Sequence, residues 1–281
     1  MPLGFYSGRA IGSGYMWEIL LSATKQGSSW SRTKKSLRKL ASRSNDPAQR
    51  WIRRIDHPGL FLTYDDGPDP VLTPQVLDVL REFKGSATFF VTGQSLDKIE
   101  APAILKRILA EGHTLGNHCQ LHRKDAYPDF ETGQLRIEAA CGAQTRIFRA
   151  PFGLEANVFE YLKRDRRALA IHWTQHFEDW LPVDLDKVAR QIPEVVKPGT
   201  IVLLHDGTVA EAICPDRSTV AKITEMIATE CRRKSIPLVG LASIYPGLHR
   251  VSSGRSKSIG ATLRRWFSGP AVTQAGGDVR S

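Results

Sequence analysis

Cysteine is scarce in this chain of 281 residues: Cys119, Cys141, Cys214 and Cys231, with no C-x-x-C pair among them. That spacing argues against a zinc-finger or thioredoxin-type motif. Four thiols in a chain this long do not make a disulfide scaffold, so a reducing compartment is the simpler reading. Long apolar runs are lacking too. No stretch of about 18 uncharged apolar residues occurs, which argues against a transmembrane helix. The apolar stretch at 15–23 is short, carries Glu18 in its middle and has little positive charge before it. It does not read as a secretory leader, and the expected location is cytoplasmic. No fixed-period repeat is visible. At 41% hydrophobic and 24% charged residues the composition is that of a globular protein able to bury one large core.

The net charge of +10 is unevenly spread. Residues 1–56 hold 11 Lys and Arg against 3 Asp and Glu, a net of +8; residues 249–281 hold 6 against 1, a net of +5; residues 57–248 hold 22 against 25, a net of −3. The basic character therefore belongs to two ends flanking a mildly acidic centre. A nucleic-acid groove would need that charge on the folded part, so none is expected. The chain divides accordingly into a basic N-terminal extension (1–56), a central domain (57–248) and a basic tail (249–281). Residues 1–29 and those after 252 are rich in Gly and Ser and read as flexible. Trp30, Leu37 and Leu40 share one helical face within a run of Lys and Arg. That pattern predicts a basic amphipathic helix up to Asn45, either solvated or in peripheral contact with an anionic membrane or an acidic polymer.

Between the ends, short apolar runs alternate with helical patterns. Strands are expected at 60–64, 87–92, 113–117, 145–150, 169–173, 201–205 and 236–240. Helices are expected at 73–83, 101–111, 131–141, 156–163, 184–196 and 218–234, with Thr73-Pro74 as an N-cap and first-turn pair. Seven strands alternating with helices predict an α/β fold on a parallel sheet, open or closed into a barrel.

Residues able to do chemistry fall at the C-terminal ends of these strands: Asp65 and Asp66, His118 and His122, Arg149, Asp179 and Trp180, and His205 with Asp206. In an α/β barrel those ends converge on one face. Each motif alone could be an ordinary polar turn or a buried core histidine. Together they compose a mechanism. Two histidines and a carboxylate form a facial metal site, Asp66 supplying the carboxylate, and an i, i+4 spacing on a helix would let His118 and His122 share one ion. Asp65 is then free as general base, held ionised by Arg149. His205 can act as general acid, with Asp179 favouring its protonated form.

The order and form of these motifs resemble the polysaccharide deacetylases of carbohydrate esterase family 4, the NodB homology domain. The family's five motifs stand here as Thr63-Tyr64-Asp65-Asp66-Gly67, His118-Cys119-Gln120-Leu121-His122, Arg149-Ala150-Pro151-Phe152, Asp179-Trp180 and Leu203-Leu204-His205, across about two thirds of the chain. The extent is most like the rhizobial chitooligosaccharide deacetylases. The resemblance implies a distorted (β/α) barrel of about seven parallel strands. It implies a divalent metal, zinc first with cobalt or manganese as alternatives, held by Asp66, His118 and His122. Asp65 would be the base, Arg149 its orienting residue, His205 the acid and Asp179 its partner. The backbone N–H of Phe152 would be the oxyanion donor, and Trp180 and Leu203 would wall in the acetyl methyl.

The implied activity is removal of N-acetyl groups from an amino-sugar oligo- or polysaccharide. Alternatives are an O-acetyl esterase or deformylase acting on a glycan or lipid-linked sugar, or a non-catalytic glycan-binding barrel. The sequence departs from the family at Tyr64 for Phe, Phe152 for Tyr, His176 for a common Asp, and Cys119 for Ser or Thr. Cys119 is also an alternative soft metal ligand. None of these removes a group from the expected site.

Overall fold

The computed structural model describes residues 46–124, 129–210, 212–244 and 248–251 of the 281. The expected helix before Asn45 and the tail from 252 onward lie outside the described residues. Eight strands form one sheet: β1 (Trp51–Ile52), β2 (Phe61–Asp65), β3 (Thr88–Val91), β4 (Thr114–Asn117), β6 (Ile147–Phe148), β7 (Leu169–Ile171), β8 (Gln175–His176) and β9 (Ile201–His205). Their order is β1-β7-β6-β4-β3-β2-β9-β8, and every pairing is parallel. The two edge strands do not pair with each other, so the sheet curls into an open half-barrel. A small antiparallel pair, β5 (Ala143–Thr145) with β10 (His249–Val251), lies apart from it.

The helices are α1 (Leu72–Glu82), α2 (Ala101–Ala110), α3 (Asp129–Cys141), α4 (Glu155–Arg164), α5 (Leu185–Val195), α6 (Val220–Arg233) and the short α7 (Leu241–Ile244). The longer six match the helices read from the sequence to within a residue or two. Thr73 is not the N-cap of α1. The carboxylate of Asp69 accepts from the N–H groups of Val71 and Leu72, and Thr73 sits one turn further in. Asp184 does cap α5, accepting from Asp186 and Lys187.

The period of two along each strand sorts the core into two layers. Leu62, Tyr64, Phe89, Val91, Val202 and Leu204 point outward and pack under the helices. Phe61, Phe90, Ile147, Leu169, Ile171 and Ile201 point inward and fill the barrel's lower half. The inward row continues upward into polar residues: Phe61, Thr63, Asp65 on β2, and Ile201, Leu203, His205 on β9. Gly116 leaves room for this packing, since a Cβ there would lie 2.3 Å from the Phe90 ring.

Three expectations are corrected. The run 236–240 forms no strand; Leu238 makes only a single parallel bridge to Leu60. Pro237 offers no N–H to a ladder, and the chain turns at Gly240 into α7. That helix plugs the base of the barrel, its first N–H groups donating to the hydroxyls of Ser86, Thr88 and Thr114. The run 145–150 is divided at Arg146 into β5 and β6. The chain before residue 57 is also not all extension, because Trp51 and Ile52 are a strand of the sheet. Arg50 is buried there, its guanidinium donating to the carbonyls of Asp165 (2.7 Å), Ala168 (3.3 Å) and Leu162 at the end of α4. The four cysteines are free thiols. No helix among the described residues is long and apolar enough to cross a membrane.

Candidate active site

Parallel strands deliver their C-terminal ends to one mouth, and sharp turns aim the side chains there. Asp66, Cys119, Phe152 and Glu178 all have positive φ (72°, 71°, 57° and 55°) without being glycine. Each stands within or beside a motif, and such strain persists only where the surroundings enforce it. The turn at Asp66 lets adjacent carboxylates serve different partners.

Asp66, His118 and His122 offer ligand atoms that all lie within 4.8 Å of one another. The Nε2 atoms of His118 and His122 are 3.5 and 3.8 Å from Asp66 Oδ1. These separations are long for hydrogen bonds and suit donors sharing one ion. Asp66 Oδ1 is buried and has no hydrogen-bond partner. His118 Nδ1 lies 2.9 Å from the carbonyl of Arg149, which turns its Nε2 inward. Burial first, then His118, lowers the pKa of His122 to about 3 and keeps that imidazole neutral, as ligation requires. Burial and neighbouring Asp65 raise Asp66 against the pull of His205 and His118. The donor set and its surplus of buried negative charge fit a divalent cation.

The two histidines do not meet on a helix. Residues 118–122 are a loop, held to the backbone after β3 by bonds from Gly93 N–H to the Cys119 carbonyl and from Gln94 N–H to that of Gln120. Cys119 is no ligand: it packs with Phe130 and Phe148 behind the loop, and its N–H donates to Asn117 Oδ1.

Asp65 is nearly inaccessible, and Arg149 donates to its Oδ1 at 2.8 Å. Burial would raise this carboxyl, but Arg149, with His118 and His205, lowers it overall. Arg149 is itself fixed by Thr63 Oγ1 (2.9 Å) and the carbonyls of Ile171 (3.1 Å) and His172 (3.3 Å), over the ring of Phe90. Across the mouth, Asp179 grips His205 twice, at its Nδ1 (2.9 Å) and at its backbone N–H (2.7 Å). Burial works against protonation of His205, yet Asp179, assisted by Asp66 and Asp65, raises it to about 9. Trp180 stands edge-on to His205 at 5.8 Å, and Phe152, 47% exposed, lies 4.4 Å from the His122 ring. Leu203 is buried on the inward face of β9. His176 is exposed beside Trp180.

In the sequence Thr63 has only a place in the first motif, Thr73 only a helix cap, and Phe90 no place in the site. The hold of Thr63 on Arg149 is legible, since Thr63 lies two residues before Asp65 on the same strand face. Thr73 donates to the buried Asp206 carboxylate at 2.6 Å. That carboxylate presses on the turn after Asp66, where a Cβ on Gly67 would lie 2.5 Å from it. No local pattern announces that contact.

Comparison with known proteins agrees with this geometry. The family model described as polysaccharide deacetylase matches residues 54–166. The match takes in Asp65, Asp66, His118, His122, Arg149 and Phe152, and stops before Asp179 and His205. A chitooligosaccharide deacetylase of Sinorhizobium fredii is 32% identical over 200 residues, covering 68% of this chain and 86% of the relative. A peptidoglycan-N-acetylglucosamine deacetylase of Bacillus cereus is 31% identical over 200 residues, 68% of this chain and 89% of that one. Among solved structures, a family 4 acetyl xylan esterase from Clostridium thermocellum, in complex with a cobalt ion, superposes with a TM-score of 0.57 at 27% identity, covering 66% of this chain and 89% of that one. The fold, the clustered motifs and these similarities together establish that the chain belongs to the polysaccharide deacetylase family.

Proposed function

We propose that this protein hydrolyses N-acetyl groups on an amino-sugar oligosaccharide of the chitooligosaccharide kind, releasing acetate and a free amine. One observation carries the reading: an Arg149-clamped carboxylate and an Asp179-clamped imidazole face the same Asp66–His118–His122 cluster, each held in the protonation state that its task requires. A divalent ion bound by that cluster supplies Lewis acidity toward an acetamide carbonyl and a water molecule. Zinc suits two imidazoles and one carboxylate, with cobalt or manganese as substitutes.

Asp65 accepts the proton of the attacking water at Oδ2, because Oδ1 is engaged by Arg149. The backbone N–H of Phe152 donates to the carbonyl oxygen as negative charge develops there. His205 gives the proton on Nε2 to the departing amine nitrogen, while Asp179 stabilises the imidazolium from the Nδ1 side. Trp180 and Leu203 bound the space for the acetyl methyl. The catalytic domain is residues 57–248 with the strand Trp51–Ile52 joined to it, and the scarcity of cysteine supports a reducing, cytoplasmic setting.

The test is incubation of the purified protein with N-acetylated chitooligosaccharides and Zn²⁺, Co²⁺ or Mn²⁺, with acetate assayed and loss of acetyl groups followed by mass spectrometry. Acetate from O-acetylated sugars alone would assign the site to an esterase and overturn the proposal.

A further inference from the structure

We infer that Asp206 and Thr73 are positioning residues for the candidate metal centre: together they brace the turn at Asp66–Gly67 and hold the Asp66 carboxylate toward His118 and His122. The inference rests on the reading of Asp66 as a metal ligand. The turn needs a brace. Along β2, Phe61, Thr63 and Asp65 point inward and Leu62 and Tyr64 point outward under the helices. Continued alternation would send Asp66 outward as well. A left-handed backbone at Asp66, with φ 72°, returns its side chain to the mouth beside Asp65. A residue with a Cβ holds that conformation only where its surroundings enforce it, and Gly67 brings no side chain to do so.

The enforcing contact comes from the end of β9. A Cβ on Gly67 would lie 2.5 and 2.6 Å from the two oxygens of the Asp206 carboxylate. In return, a Cβ on Gly207 would lie 2.4 Å from the Asp66 carbonyl oxygen and 2.6 Å from the Gly67 nitrogen. The turns after β2 and β9 are therefore in direct contact. The N–H of Asp206 also donates to the Asp65 carbonyl at 3.2 Å, carrying the pairing of the two strands past their ends. From the other neighbour of β2, the loop after β3, the Gly67 carbonyl accepts from the Ser95 hydroxyl and from the N–H of Thr92 at 3.1 Å. The turn is clasped from both sides.

Asp206 is in turn aimed by Thr73. Both residues are buried, at 1% and 0% exposure. The Thr73 hydroxyl donates to Asp206 Oδ2 at 2.6 Å and accepts the N–H of Asp69 at 2.8 Å, so the first turn of α1 fixes it. The second oxygen, Oδ1, is buried with no hydrogen-bond partner among the described residues. A carboxylate buried with one oxygen unpartnered costs stability, and an apolar residue of similar size would serve the core better. An apolar residue could not take the Thr73 bond and so be aimed at Gly67. Loss of this clasp lets Asp66 relax to an ordinary backbone angle and swing from the histidines, while Arg149 keeps Asp65 in place.

Zinc affinity is measured by calorimetric titration of chelator-stripped full-length protein, and ligand geometry by the visible absorption of its cobalt form. Thr73→Val keeps the volume and removes the hydroxyl; Asp206→Ala removes the brace. Each should raise the Kd for Zn²⁺ by about 10–100-fold and shift the cobalt bands, and Thr73→Ser should restore both. With zinc saturating, KM for a soluble chitooligosaccharide should keep its wild-type value while kcat falls. Thermal melting of the stripped proteins checks the fold, and if Asp206→Ala does not fold, Thr73→Val carries the test. Wild-type zinc affinity and cobalt spectrum in either folded variant overturn the inference, as does a Thr73→Ser variant as weak as Thr73→Val. Those outcomes leave Asp66 a ligand. A wild-type protein that takes up neither zinc nor cobalt overturns the metal reading itself, and this inference with it.

Discussion

Asp65 and His205 titrate in opposite directions because burial, the largest influence on each, is outweighed by partners of opposite sign. Arg149 holds Asp65 below its ordinary value, and Asp179 holds His205 up to about 9. Both stay charged through neutral pH, as the proposed roles of base and acid require. Asp65→Asn and His205→Ala should each fold and bind metal yet lose about 10²–10⁴-fold in kcat, measured on a soluble oligosaccharide beside metal content. The pH profile of kcat/KM should be a bell, and Asp179→Asn should move its alkaline limb downward; a limb that stays put would remove Asp179 from the mechanism. The same pair bears on stability. Because the folded-state pKa of His205 is raised from 6.5, its contribution is fully present below pH 6.5 and is lost as pH rises through about 9. Urea unfolding at pH 6 and above pH 9 should therefore differ more in wild type than in Asp179→Asn.

Among the elements, α7 illustrates separation of stability from chemistry. Leu241 and Ile244 close the barrel's base against Ile147, Leu169 and Ile171, far along the strands from Asp65 and His205. Leu241→Ala should cost about 2–4 kcal/mol in denaturant unfolding, for lost burial and an unfilled cavity, with turnover per folded molecule unchanged. The loop at 118–122 shows the converse. A helical reading of its i, i+4 histidines brings the rings together for the wrong reason. It is a left-handed residue at Cys119, with bonds to the strand neighbour at Gly93 and Gln94, that makes them converge.

For the whole molecule, a buried cluster with one orphaned carboxylate oxygen means that metal binding and folding are linked. Adding a divalent ion at about 100 times its Kd should stabilise the fold by about 2.7 kcal/mol, raising the melting temperature, and a chelator should reverse it. His118→Ala and His122→Ala should each abolish most of that shift and lose bound metal on dialysis. Full metal occupancy in both variants would mean that the site is elsewhere.

Periodicity alone determined the six longer helices and most strands, because burial on one face repeats at 3.6 or 2 residues whatever the partner. The order of motifs also marked Asp65, Asp66, His118, His122, Arg149, Asp179 and His205, since strand ends in a parallel fold gather at one mouth. What local pattern cannot carry was left to tertiary structure. Trp51 and Ile52 are too short a run to announce a strand, and they become one only by pairing with β7. Leu238, apolar and strand-like, is refused a ladder by Pro237 and the turn at Gly240. The grip of Thr63 on Arg149, the pressure of Asp206 on Gly67, and the pairing of β10 with β5 all join residues far apart in the chain. Only the sheet's register decides such contacts, because it sets which remote residues stand side by side.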